Sequence, residues 1–132
     1  KGDPERVAAF KEAIRQAVRF RSVFKIIDER SGYKADLIVR KDRAFSRTEF
    51  QRRRRVRILG HGLDIASAED VILAKLEWSK SGESERQWND ALQVARTQRE
   101  HLDVAYLDKW AAELGVSELW GRLKDTVYSE SQ

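Results

Sequence analysis

The chain contains no cysteine, which excludes a disulfide framework and any thiolate metal site. Long apolar runs are missing as well. The uninterrupted apolar stretches reach only a few residues, far short of the roughly 20 that a membrane-crossing helix requires. The first residues, Lys1 to Phe10, lack an apolar core followed by a small-residue cleavage site. A cytoplasmic protein with no membrane contact is therefore the expectation. There is no glycine-rich phosphate loop and no Ser/His/Asp arrangement. His61 and His101 are isolated, neither having a second His, Asp or Glu at ligand spacing in a recognisable motif. Apart from one arginine run there is no low-complexity tract, and there is no internal repeat.

What is present suits one globular core. At 132 residues and 41% hydrophobic content, the chain predicts a single domain over 1–132, with a helix-plus-sheet part in 1–66 and a helical part in 67–132. The formal net charge is +4, but its distribution matters more than its total. Between Arg40 and Arg57 nine basic residues face two acidic ones, a local balance of +7, so the rest of the chain carries about −3. The basic character thus belongs to one segment.

Val7, Phe10, Ile14, Ala17 and Val18 recur at helical spacing behind Asp3-Pro4, an Asp cap followed by a first-turn Pro, and predict an amphipathic helix. Two β-rich runs, Ser22 to Asp28 and Lys34 to Arg40, flank a Ser-Gly turn signal and predict a hairpin. Arg55 to Leu59 and Leu63 to Ala66 flank Gly60-His61-Gly62 and predict a second one. From Ser67 the apolar period becomes helical. Ser67-Ala68-Glu69-Asp70 resembles a capping box with Asp in place of Glu, and Ser84-Glu85-Arg86-Gln87 is an S-x-x-Q box. Asp103 and Ser117 serve as caps for two further helices, and Gly115 stops the first of these. The predicted helical stripes are Val71, Ile72, Ala74, Leu76 and Trp78; Trp88, Leu92 and Ala95; Leu107, Trp110, Ala111 and Leu114; and Leu119, Trp120 and Leu123. The fold class is α+β: a small antiparallel sheet of about four strands, an N-terminal helix and a C-terminal helical bundle.

Few side chains present themselves for chemistry. Lys34 and Asp36 share one face of a strand, because strand side chains alternate. A carboxylate there can hold Mg²⁺, although a two-metal centre needs about two or three converging acids; a charged residue on the solvent side of an edge strand is the simpler alternative. Lys75 interrupts an apolar helical stretch, so it either snorkels to water or offers its ammonium to an anion. Asp90 lies four residues beyond Arg86, the spacing of an intrahelical salt bridge. Arg52, Arg53, Arg54 and Arg55 can neutralise nucleic-acid phosphates in a salt-dependent way. With no interleaved aromatics, such binding would be weakly specific. The same run equally suits a solvated loop or an edge strand protected by charge.

Four stretches taken together resemble bacterial proteins of the nucleotidyltransferase superfamily, akin to the AbiEii-type toxins: Phe24-Lys25-Ile26-Ile27-Asp28, Tyr33 to Val39, Ala66 to Leu76, and Ser84 to Asp90. The resemblance spans about Glu12 to Leu123. Its most specific part is the S-x-E-D-x-I-x-x-K-L element followed by an R-x-x-x-D helix. It implies that Asp36 is the third metal-binding acid, with Lys34 beside it. It further implies that Lys75 approaches the nucleotide phosphates, with Asp90 the acid of the next helix and Arg86 a turn before it. Family members also carry a glycine element and a D-x-D pair upstream, which nothing before Lys34 supplies here.

The resemblance thus implies an incomplete nucleotidyltransferase-like domain, inactive as this chain. Its complete form would use Mg²⁺ to transfer a nucleotidyl group from an NTP to a hydroxyl, in a toxin-antitoxin-like setting. The alternative is a non-catalytic module binding nucleic acid or protein through Arg52 to Arg55. An exposed sheet edge further predicts a homodimer.

Overall fold

The computed structural model describes residues 3–82 and 84–130, and within these all side chains except those of Val23, Lys34, Ala35, Asp36 and Ile38. The chain divides into two compact units, Lys1–Arg47 and Thr48–Gln132. The division falls well before position 66, so the second hairpin belongs with the C-terminal helices rather than with the first hairpin. The α+β class holds, but the four strands form two separate two-stranded antiparallel sheets, not one four-stranded sheet.

In the first unit, α1 runs from Pro4 to Phe20. Asp3 caps it by accepting from the Glu5 N–H at 3.0 Å, and Pro4 occupies the first turn, where its missing donor costs nothing. Of the predicted apolar stripe only Ala17 is buried; Ile14 is half-buried, while Val7, Phe10 and Val18 are exposed. Strands β1 (Val23–Ile27) and β2 (Lys34–Ile38) pair in the register Val23↔Ile38 to Ile27↔Lys34. Asp28 organises their turn by accepting from Ser31 Oγ at 2.6 Å and from the Arg30 N–H at 3.2 Å. These bonds stabilise the carboxylate and hold its pKa below the ordinary value. Phe10 meets Phe24 edge to face at 5.2 Å, joining α1 to β1.

Helix α2 (Ala44–Gln51) begins in the first unit and ends in the second. The sequence had suggested only a basic stretch here. With eight residues and four charged or hydroxyl side chains, α2 has too little apolar period to announce itself; Phe45 is its one buried apolar side chain.

In the second unit, β3 (Arg54–Ile58) pairs with β4 (His61–Ile65) through a two-residue turn, Leu59-Gly60. Both turn residues have positive φ, 51° and 79°, the type I′ geometry that matches strand twist. Gly60 is thus the turn glycine, whereas His61 and Gly62 belong to β4. Helices α3 (Ala68–Ser81), α4 (Ser84–Gln98), α5 (Val104–Glu113) and α6 (Ser117–Ser129) follow, with a 3-10 turn at Arg99–His101. Ser67 and Asp103 cap as expected, accepting from the N–H groups of Asp70 and Tyr106. Ser84 and Ser117 are instead first helical residues, and Val116 takes the cap position of α6 without a side-chain bond.

The core lies among these four helices. Ile72, Leu73 and Leu76 of α3, Ala91 and Ala95 of α4, Leu107 and Ala111 of α5, and Trp120, Leu123 and Val127 of α6 are buried, with Val116. Each buried large aliphatic side chain contributes about 1.5–3 kcal/mol. The two alanines, one helical turn apart on α4, let α3 and α4 approach closely. Trp88 and Leu92 are only half-buried. Trp120 Nε1 donates to Asp108 at 2.7 Å and Lys124 reaches the same oxygen at 3.1 Å, fastening α5 to α6.

Candidate functional site

The arginine run is largely absorbed by the fold of the second unit. Arg52 Nη2 lies 2.8 Å from Glu69 Oε1, and its Nε lies 3.3 Å from Asp70 Oδ2. Its guanidinium also stacks 3.8 Å above the Tyr106 ring. Asp70 is fully buried and accepts from Ser67 Oγ at 2.8 Å and Tyr106 Oη at 2.5 Å. Glu69 Oε2 accepts from the Asp103 N–H. Two adjacent acids at the start of α3 thereby hold the segment before β3, the N-terminus of α5 and the Tyr106 ring. Burial first, and then the hydrogen bond to the Asp70 carboxylate, push the Tyr106 phenol pKa well up.

The other arginines separate by strand parity. Arg53 and Arg55 share Asp64, at 3.3 and 3.4 Å, and Arg53 also lies 4.0 Å over the Phe50 ring. Arg54 is exposed on the opposite face of the hairpin. Arg52 to Arg55 are therefore not one continuous basic face. Sequence spacing revealed the Ser67 cap but not the Arg52, Tyr106 and Asp103 partners, which come from 17 to 36 residues away; the available signal was the pairing of two acids at a helix start with an arginine run upstream.

Lys75 and Asp90 do come together. Lys75 Nζ is 3.1 Å from Asp90 Oδ2, with side-chain exposures of 22% and 45%. The ammonium also lies 5.5 Å from the Trp78 ring centre, one turn along α3. The expected Arg86–Asp90 intrahelical pair does not form: Asp90 turns across to α3, because the half-buried Lys75 ammonium has the greater need of a counter-charge. Arg86 is exposed, a turn before Asp90 on α4, with no ion pair among the described residues. An ammonium carries three donors. One is used by Asp90, so the site retains N–H capacity for an external oxyanion, with Arg86 as a second cation on the neighbouring helix.

Comparison with protein-family models, with curated proteins and with solved structures found no match.

Lys34 and Asp36 lie on β2 of the first unit, Asp36 opposite Lys25; their side chains fall outside the described set. Among the described residues no group of three His, Cys, Asp or Glu side chains assembles that could hold a metal ion. None of the described helices is long and apolar enough to cross a membrane.

Proposed function

We propose that this chain is the phosphate-binding part of a nucleotidyltransferase-type protein, with Lys75 and Arg86 receiving the phosphates of an NTP. The observation that carries this reading is the Lys75–Asp90 pair. An ammonium held half-buried between a carboxylate and an indole face is held in one orientation, and it keeps donors to spare. Such a group suits a polyphosphate better than it suits stability alone, because partly buried ion pairs contribute little net stabilisation. Asp90 positions the lysine; Arg86 adds charge at the rim.

The glycine element and D-x-D pair of complete family members do not occur in these 132 residues, and the described side chains do not form a Mg²⁺ site. These residues alone therefore support no transfer step, and Asp36 is the acid that the resemblance would assign to a metal in the complete protein. Parity argues against the alternative module built on Arg52 to Arg55, since three of those four side chains hold acids of the same unit.

The test is titration calorimetry with ATP, GTP, CTP and UTP, with and without Mg²⁺, on the parent chain, Lys75→Gln and Arg86→Ser. Saturable binding is expected, weakened about tenfold or more by Lys75→Gln, the scale of one lost charge-assisted hydrogen bond, and less by Arg86→Ser. Binding that ignores Lys75→Gln, or no binding of any nucleotide, overturns the proposal. Far-UV circular dichroism of each variant separates lost binding from lost fold.

A further inference from the structure

We propose that the outer edge of β4 accepts an extended segment of a partner protein, one whose side chains alternate between apolar and acidic. The hairpin is unfinished as a sheet. Two-stranded hairpins are marginal in water unless a further strand or layer supports them, and here all five residues of β4 are exposed. A two-residue turn makes Ile58↔His61 a hydrogen-bonded pair, and pairing type alternates from there. Gly62 and Asp64 therefore turn their N–H and C=O groups away from β3, toward the open edge.

The two faces of the hairpin specify what alternates along the incoming strand. On one face Val56, Ile58, Leu63 and Ile65 stand together by register, with Arg54 and His61 at the two ends of the patch; the last three of these apolar side chains are each 45–51% exposed. Apolar side chains of an added strand would extend this patch. The other face carries Arg53, Arg55 and Arg57 against a single acid, Asp64. Gly62 is decisive here. It has no side chain, and the Arg55 guanidinium lies across it, so that a Cβ at position 62 would sit 3.0 Å from Arg55 Nη2. Arg55 thus lies across β4 above Gly62, held only loosely by Asp64 at 3.4 Å and with its side chain 71% exposed, so a carboxylate on the added strand would offer it a second partner. Charge complementarity of this kind selects partner and register, while main-chain bonds supply affinity.

The probes are two short acetylated and amidated peptides, one alternating valine with glutamate and one alternating valine with lysine, followed by amide hydrogen exchange of the full chain in NMR. The glutamate peptide is expected to slow exchange at Gly62 and Asp64 by about tenfold or more, as new ladder bonds protect those amides. The lysine peptide should leave them unchanged. Arg55→Ser, at an exposed side chain, should weaken the glutamate peptide about tenfold without altering the far-UV spectrum. Equal binding of both peptides, or binding without protection at Gly62 and Asp64, overturns the proposal. So does protection that grows with protein concentration alone, which would make a second copy the occupant. Capture of the same arginines by a single-stranded oligonucleotide, with both peptides silent, would replace it with the nucleic-acid reading. None of these outcomes depends on whether Lys75 binds nucleotide.

Discussion

Asp70 receives three side chains, those of Arg52, Tyr106 and Ser67, while fully buried. Removing one member of a buried charge pair leaves the other without compensation, which costs about 3–5 kcal/mol. Asp70→Ala should therefore lower stability by about that amount in urea denaturation followed by tryptophan fluorescence, whereas Arg54→Ala, on the open face of the hairpin, should change it by less than about 0.5 kcal/mol. Tyr106 adds a pH signature. Its folded-state pKa is raised above the unfolded value, so its stabilising contribution is complete below the ordinary tyrosine pKa of about 10 and is lost as pH rises through the folded value. Wild type should accordingly lose stability above about pH 10 more steeply than Tyr106→Phe. Ultraviolet titration should show a late tyrosinate component that vanishes in that variant. Parallel alkaline profiles for the two proteins would show that Tyr106 is not coupled to Asp70 as described.

At the scale of elements, the β3–β4 turn combines good and poor choices. Gly60 accepts φ of 79° without penalty, but Leu59 sits at φ 51° with its side chain 94% exposed. A branched apolar residue in left-handed backbone is strained and gains nothing by packing. Asparagine tolerates this conformation and forms, with a following glycine, the preferred type I′ pair. Leu59→Asn should thus raise stability by about 0.5–1 kcal/mol, read as an increased urea midpoint with unchanged slope. A decrease would mean that Leu59 is covered by something in solution. The helices behave differently, since their caps and buried stripes agree with one another: Ser67 and Asp103 both close first turns of helices that bury Ile72 and Leu107.

For the molecule as a whole, the two units differ sharply in how much they bury. In the first unit Ala17 and Phe45 are the buried apolar residues among those described, whereas the second unit contains a continuous four-helix core. All four tryptophans, Trp78, Trp88, Trp110 and Trp120, also lie in the second. Tryptophan fluorescence therefore reports that unit alone, while far-UV circular dichroism reports both. Under urea the dichroism signal is expected to begin falling at lower concentration than the fluorescence signal, and α1 amides should exchange faster than those of α3. Coincident curves would show the chain unfolding as one cooperative body.

The sequence by itself determined the local elements: its five expected helices and four expected strands coincide with observed ones to within a few residues, because Asp3, Ser67, Asp103 and Gly60 act through neighbours a few positions away. Lys75 was legible too, as a cation in a largely apolar helical stretch. Tertiary structure alone decided the partners. Parity and a long-range acid pair dispersed an arginine run that looked like one surface, and Asp90 went to Lys75 across two helices instead of to Arg86 along one. Likewise α2 was illegible, since eight residues hold too few apolar positions to show a period. Caps and turns are short-range and can be read from adjacent residues, whereas a buried charge takes whichever counter-charge the packing of distant elements brings within about 3 Å.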